Sequence, residues 1–234
     1  MRRISLLCPT RARHADAKRL ADSVFRTAEH KKRVELLFYV DNDDPQLKQY
    51  QEFGAKNEPR VHLTVGEPIS VSKSYNIIAE RCTGDILIIT NDDVIYHTDS
   101  WDVLLEKEVD KYPDGVFLMW FNDGTEQRSR HPAFPMVSRR WYETLGYLTP
   151  GVFEFWYNDT WLMDIGRKLG RMHYIDHVFA EHRHVKMGKA QRDETHRRNF
   201  SDGRIHRDRK VFFDTEQKRV EDAAKLRALM VDHG

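Results

Sequence analysis

The segment Ile86-Leu87-Ile88-Ile89-Thr90 constrains the fold of this chain most tightly: five apolar or β-branched residues run without interruption and end abruptly on Asn91-Asp92-Asp93. So short and apolar a run predicts a strand buried on both faces, as in a parallel sheet covered by helices. In an open α/β sheet, ligands bind outside the carboxyl ends of the strands. Acidic residues directly after such a strand therefore have two readings. Asn91 and Asp92 form a polar turn or cap the next helix, or the carboxylates hold a divalent cation against a nucleotide diphosphate.

The rest of the chain has the rhythm of βαβ units. Ile4 to Cys8 predicts a strand emptying into Pro9-Thr10-Arg11, and Val34 to Val40 a second strand halted by Asp41-Asn42-Asp43-Asp44-Pro45. Between them, Leu20, Val24, Phe25 and Ala28 recur at helical spacing within Ala15 to Glu29. Val61 to Val65 reads as a shorter strand, and Ser72 to Cys82 as a helix closed at Thr83-Gly84-Asp85, with Gly84 suited to a left-handed cap. Further on, helices are predicted over Trp101 to Lys111, Ser138 to Leu145 and Thr160 to Leu169, and extended segments over Val116 to Phe121 and Met172 to Glu181. Asn122 to Pro135, rich in Gly, Ser, Arg and Pro, is a long functional loop. Beyond Lys186 the core-forming pattern fades into a polar stretch dense in Arg and His up to Lys210, before a final amphipathic helix from about Thr215 to Met230.

Composition narrows the class. A chain of 234 residues, 32% charged and 40% hydrophobic, describes one globular α/β domain with a polar surface. A formal net charge of +1 gives no global field favouring nucleic acid or an acidic membrane. The two cysteines, Cys8 and Cys82, make neither a disulfide framework nor a metal motif, so they read as buried thiols in a reducing cytoplasm. The apolar run after Arg2-Arg3 stops at Pro9, too short for a signal peptide, and no later run reaches the roughly eighteen apolar residues of a membrane span.

The segment Cys82-Thr83-Gly84-Asp85-Ile86-Leu87-Ile88-Ile89-Thr90-Asn91-Asp92-Asp93-Val94 resembles the DxD region of GT-A fold, family 2 type glycosyltransferases. The resemblance implies a nucleotide-sugar-binding α/β fold, its mostly parallel central sheet flanked by helices. It assigns the ribose contact to Asp92 and the metal, Mn²⁺ or Mg²⁺, to Asp93. Asn91 departs from the motif's first aspartate, which puts any ligand role there in doubt. Pro9-Thr10-Arg11 is similar to the loop that holds the nucleotide base, and Asp41 to the carboxylate that accepts from uracil. Lys73 and Asn76, at the start of the third helix, are candidates for donor phosphate or sugar, with a solvated lysine as the alternative for Lys73.

The likeness extends to an acceptor half, for which an inverting transfer needs a general base. Asp159, in Phe155-Trp156-Tyr157-Asn158-Asp159-Thr160-Trp161, is the candidate, and it also suits the cap of the helix beginning near Thr160. The aromatic residues around it suit stacking on a sugar or base, or ordinary core. In Glu181-His182-Arg183-His184, alternation puts His182 and His184 on one face, and the family often completes its metal site with a C-terminal histidine. Lys189 and Arg192 lie in what resembles the family's flexible basic loop over the diphosphate.

The resemblance spans about residues 4 to 200 and divides one domain, 1–234, into a donor half 1–100, an acceptor half 101–185 and a basic loop with a helix 186–234. The expected reaction moves sugar from a nucleotide-sugar donor, UDP-linked, to a hydroxyl on a glycan or a modified DNA base. Two alternatives stand beside it. A nucleotidyltransferase on a related fold lacks its usual glycine-rich loop here, and a nucleic-acid-binding protein rests on the basic stretch Lys186 to Lys210.

Overall fold

The computed structural model of the chain describes residues 1–183, 197 and 202–230. Among them, eight strands form a sheet in the order β3-β2-β1-β4-β7-β6-β8-β5. The strands are β1 Ile4–Thr10, β2 Val34–Asp41, β3 Val61–Gly66, β4 Ile86–Ile89, β5 Val94–Tyr96, β6 Leu118–Asn122, β7 Met136–Ser138 and β8 Met172–His182. The first four strands pair in parallel, as the apolar runs require.

The sheet is mostly parallel, as expected, but beyond β4 it is mixed, with β5 and β7 reversed. Strand β7 runs antiparallel to both β4 and β6, β8 returns parallel to β6, and β5 closes the edge antiparallel to β8. The sheet is mixed because β7 enters from the long loop after β6 and reverses direction between its neighbours. Only three residues, Met136–Ser138, form it. Ser138 then caps the next helix, its Oγ accepting from the Trp141 amide at 3.0 Å.

Alternation along each buried strand divides the core in two. Ile4, Leu6, Leu36, Phe38, Ile86 and Ile88 face the helices α1 (His14–Thr27), α2 (Leu47–Asn57) and α4 (Trp101–Val109) through Leu20, Val24, Tyr50, Phe53, Trp101 and Leu105. Leu7, Leu37, Leu87 and Ile89 face α3 (Val71–Ala79), α5 (Arg139–Leu145) and α6 (Asn158–Leu169), where Tyr75, Trp141 and Trp161 are buried. Helix α2 was not legible as a helix: its buried positions Tyr50, Phe53 and Gly54 are few among Lys and Gln. Gly84 is not a left-handed cap. Its Cβ would stand 2.6 Å from the Ser5 amide nitrogen, so glycine is needed where this turn crosses β1.

The carboxyl-terminal region holds two helices, α7 (Asp202–Asp214) and α8 (Glu216–Arg227), where one was expected. They dock through buried charge. Asp208, fully buried, accepts from the backbone amides of Glu154, Phe155 and Trp156, each at 3.0 Å. Arg219, also buried, donates to Asp164 at 2.7 Å and lies over the rings of Phe212 and Trp161. Among the described residues, no helix is long and apolar enough to cross a membrane.

Removing the Asp208 carboxylate leaves three half-buried amides without an acceptor, and a buried donor so stranded costs up to about 1–3 kcal/mol before relaxation. Asp208→Ala should lower the unfolding free energy by about 3 kcal/mol in urea titrations. A change under about 0.5 kcal/mol, the range of ordinary surface substitutions, would mean that α7 is not held by this contact.

Candidate active site

Strand β1 lies between β2 and β4, and the chain changes direction across the sheet there: β2 and β3 build to one side and β4 to the other. This switch point opens a crevice beyond the strands' carboxyl ends. A cleft of about 790 Å³ occupies it, lined among others by Pro9, Thr10, Arg11, Arg13, Asp41, Lys73, Asn91 and Asp92. That size suits a nucleotide-sized ligand.

The carboxylates of the cleft are held in fixed positions. Asp92, 5% exposed, accepts from the Thr10 hydroxyl at 2.7 Å and meets an Arg13 nitrogen at 3.3 Å. Burial pushes its pKa up to about 6; Arg13 opposes the rise and the Asp93 charge adds to it. Asp41 accepts from Arg11 at 2.8 Å, and Arg11 also pairs with Asp43. Those two hydrogen-bonded carboxylates, Asp43 first, raise the Arg11 pKa and keep its guanidinium charged.

Strand β8 carries the second half of the site to this crevice. Its register sets His182 opposite Val94, and the Arg183 amide donates to the Asp93 carbonyl at 2.9 Å. As a result His182 Nε2 stands 3.5 Å from Asp93 Oδ2, with its ring edge-on to Phe134 at 4.8 Å. Two donors bound at about 2.1 Å to one ion, at tetrahedral to octahedral angles, stand about 3–3.5 Å apart. The pair therefore fits a shared cation. Among the described residues no group of three or more His, Cys, Asp or Glu could enclose one, and a cation that serves phosphates usually takes several ligand oxygens.

Asp159 lies in the first turn of α6. The cap position belongs instead to Tyr157, in the left-handed region at φ 70°. One Asp159 oxygen accepts from the Thr160 amide at 2.7 Å, and the other is 2.7 Å from His131 Nε2. That hydrogen bond raises the His131 pKa against the lowering effect of burial. Buried Tyr75 links the parts: its hydroxyl donates to the Thr90 carbonyl at 3.1 Å, and Asp159, Asp92 and Asp93 all add to the rise that burial imposes on its pKa.

The sequence pattern of the family described as Glycosyl transferase family 2 matches residues 5–179. The chain belongs to glycosyl transferase family 2. Solved structures share its fold. Mannosyltransferase PcManGT from Pyrobaculum calidifontis, in complex with GDP-Man and Mn²⁺, superposes with a TM-score of 0.62 at 12% identity, over 100% of this chain and 76% of that one. TarS 1–349 of S. aureus with UDP-GlcNAc gives 0.66 at 10% identity over 94% and 66%. GalNAc-T7 with UDP, GalNAc and Mn²⁺ gives 0.65 at 14% identity over 78% and 43%. A comparison with curated proteins finds no match.

In this glycosyltransferase the expected donor residues divide. Pro9, Thr10, Arg11, Asp41, Lys73, Asn91 and Asp92 line one cleft. Asn76 is not among its lining residues. Its carboxamide accepts from the Leu148 and Thr149 amides and donates to the Thr149 carbonyl at 2.8 Å, so it braces a loop where a donor contact was expected. His184, Lys189 and Arg192 lie outside the described residues. Arg13 and His131 were missed. His131 lies in the loop Asn122 to Pro135, whose length was the available signal, but its partner is 28 residues away.

The His131–Asp159 pairing has a definite pH signature. Because the folded pKa of His131 is raised, the pair's stabilisation is complete below the unfolded value of about 6.5 and is lost as pH rises through the folded pKa. Asp159→Asn should therefore lower the melting temperature more at pH 6 than at pH 9, and shift the His131 titration seen by NMR downward. An equal loss of stability at both pH values would contradict the pairing.

Proposed function

We propose that this glycosyltransferase moves a sugar from a nucleoside-diphosphate donor, UDP-linked, to a hydroxyl of an acceptor such as a glycan, with inversion at the transferred carbon. The observation that carries the reading is the approach of His182 to Asp93, 3.5 Å apart, beside a nucleotide-sized cleft. Asp41 and the Pro9-Thr10-Arg11 loop would hold the base, and Asp92, fixed by Thr10, the ribose. Asp93 and His182 would hold Mn²⁺ or Mg²⁺, which supplies charge neutralisation to the departing diphosphate.

Asp159 is the proposed base. Its carboxylate takes the proton of the acceptor hydroxyl while that oxygen bonds to the sugar carbon, and the bond from carbon to the phosphate oxygen breaks with its electron pair leaving on the nucleoside diphosphate. His131 keeps the carboxylate oriented and, when protonated, anionic. The reduced thiols Cys8 and Cys82 suit a cytoplasmic setting.

Thermal-shift measurements with UDP and GDP, with and without Mn²⁺, test the donor half, because a ligand at about 100 times its Kd stabilises the native state by about 2.7 kcal/mol. UDP with Mn²⁺ should raise the melting temperature, and Asp93→Asn should remove the part that depends on Mn²⁺. A manganese-dependent rise that survives Asp93→Asn would refute the assignment. For Asp159→Asn, donor binding should persist while transfer falls by about 10²–10⁴-fold; transfer at the wild-type rate would remove Asp159 as the base.

A further inference from the structure

The cations lining the cleft are not equivalent. Arg11 is answered by Asp41 and Asp43, Arg13 by Asp92, and Arg207 by Glu154. Among the described residues, Lys73 and Arg204 have neither a carboxylate nor a side-chain hydrogen-bond partner, and both line the same cleft, Lys73 from α3 and Arg204 from α7. Arg204 is half-buried. A guanidinium that lines a cleft without a protein partner has its N–H donors open to a ligand.

Helix α7 fixes where that charge stands. Residues 204, 207, 208 and 211 share one helical face. Arg204, Arg207 and Val211 on that face line the cleft, and Asp208 pins it to the amides of residues 154–156. The helix lies beyond the family match, which ends at residue 179.

We infer that Arg204 binds the phosphate oxygens of the nucleoside-diphosphate donor, with Lys73 as the second cation of the same anion subsite. The inference rests on the donor reading above. A planar guanidinium offers two parallel N–H donors to a phosphate, whereas an ammonium offers a point charge. Arg204 therefore contributes directional recognition and Lys73 screening.

Calorimetric titration of the full chain with UDP, GDP and uridine, with Mn²⁺ present, tests this. Arg204→Ala should weaken the better-bound diphosphate by about 10- to 100-fold, the worth of a charge-assisted hydrogen bond, and leave uridine within about 2-fold. Arg204→Lys should recover part of the loss, and Arg207→Ala, whose charge Glu154 already answers, should cost less than Arg204→Ala. An unchanged melting temperature without ligand establishes that the Arg204 variants are folded. If wild type binds a diphosphate and Arg204→Ala binds it equally well, or loses uridine to the same extent, this inference falls alone. If wild type binds neither diphosphate, the inference falls together with the donor reading.

Discussion

The pairing of β8 with β5 is the constraint on which the site depends. Strand β8 begins beside β6, Met172 opposite Leu118, and ends beside β5, His182 opposite Val94. Its register with β6 slips between Phe121 and Asn122, so that Asn122 faces Phe179, and pairing with β5 begins at the next residue, Ala180. His182, late in the chain, thereby reaches Asp93, which follows the central strand β4. Because side chains alternate along a strand, a slip of one residue would turn His182 away from Asp93. The register is thus a condition for the approach of His182 to Asp93 as well as for stability.

Charge burial completes the architecture. Asp92 is buried beneath the cleft with Thr10 and Arg13 as partners, and Asp208 is buried behind it with three amides. Carboxylates in such places are costly to desolvate and are tolerated only when their lone pairs are satisfied. The same rule makes the unanswered Arg204 informative. Most cations in the cleft serve to hold acids in position, so the two that do not are available to a ligand.

The parallel half was legible in the sequence because each of its strands is a local apolar run, and an acid at the end of such a run needs no long-range information to be placed. Asp41, Asp92 and Asp93 belong to that class. The strands β5 and β7, three residues each, are too short to show a period, and their pairing with β8 and β4 is made by distant segments. Asn76 is a donor candidate by its place at the start of the third helix, and its partners Leu148 and Thr149 are too distant in sequence to be foreseen. The polarity of residues 202–214 hid α7, whose attachment combines a buried aspartate, Asp208, with only two packed apolar residues, Val211 and Phe212.

The proposed function makes one chemical commitment: Asp93 and His182, which the two halves of the sheet bring to 3.5 Å, would share a cation. An anomalous difference map from crystals grown with UDP and Mn²⁺ tests it most directly. A manganese peak bonded to a carboxylate oxygen of Asp93, a ring nitrogen of His182 and oxygens of the diphosphate is the predicted result. Manganese bound with the diphosphate but touching neither residue would contradict the account.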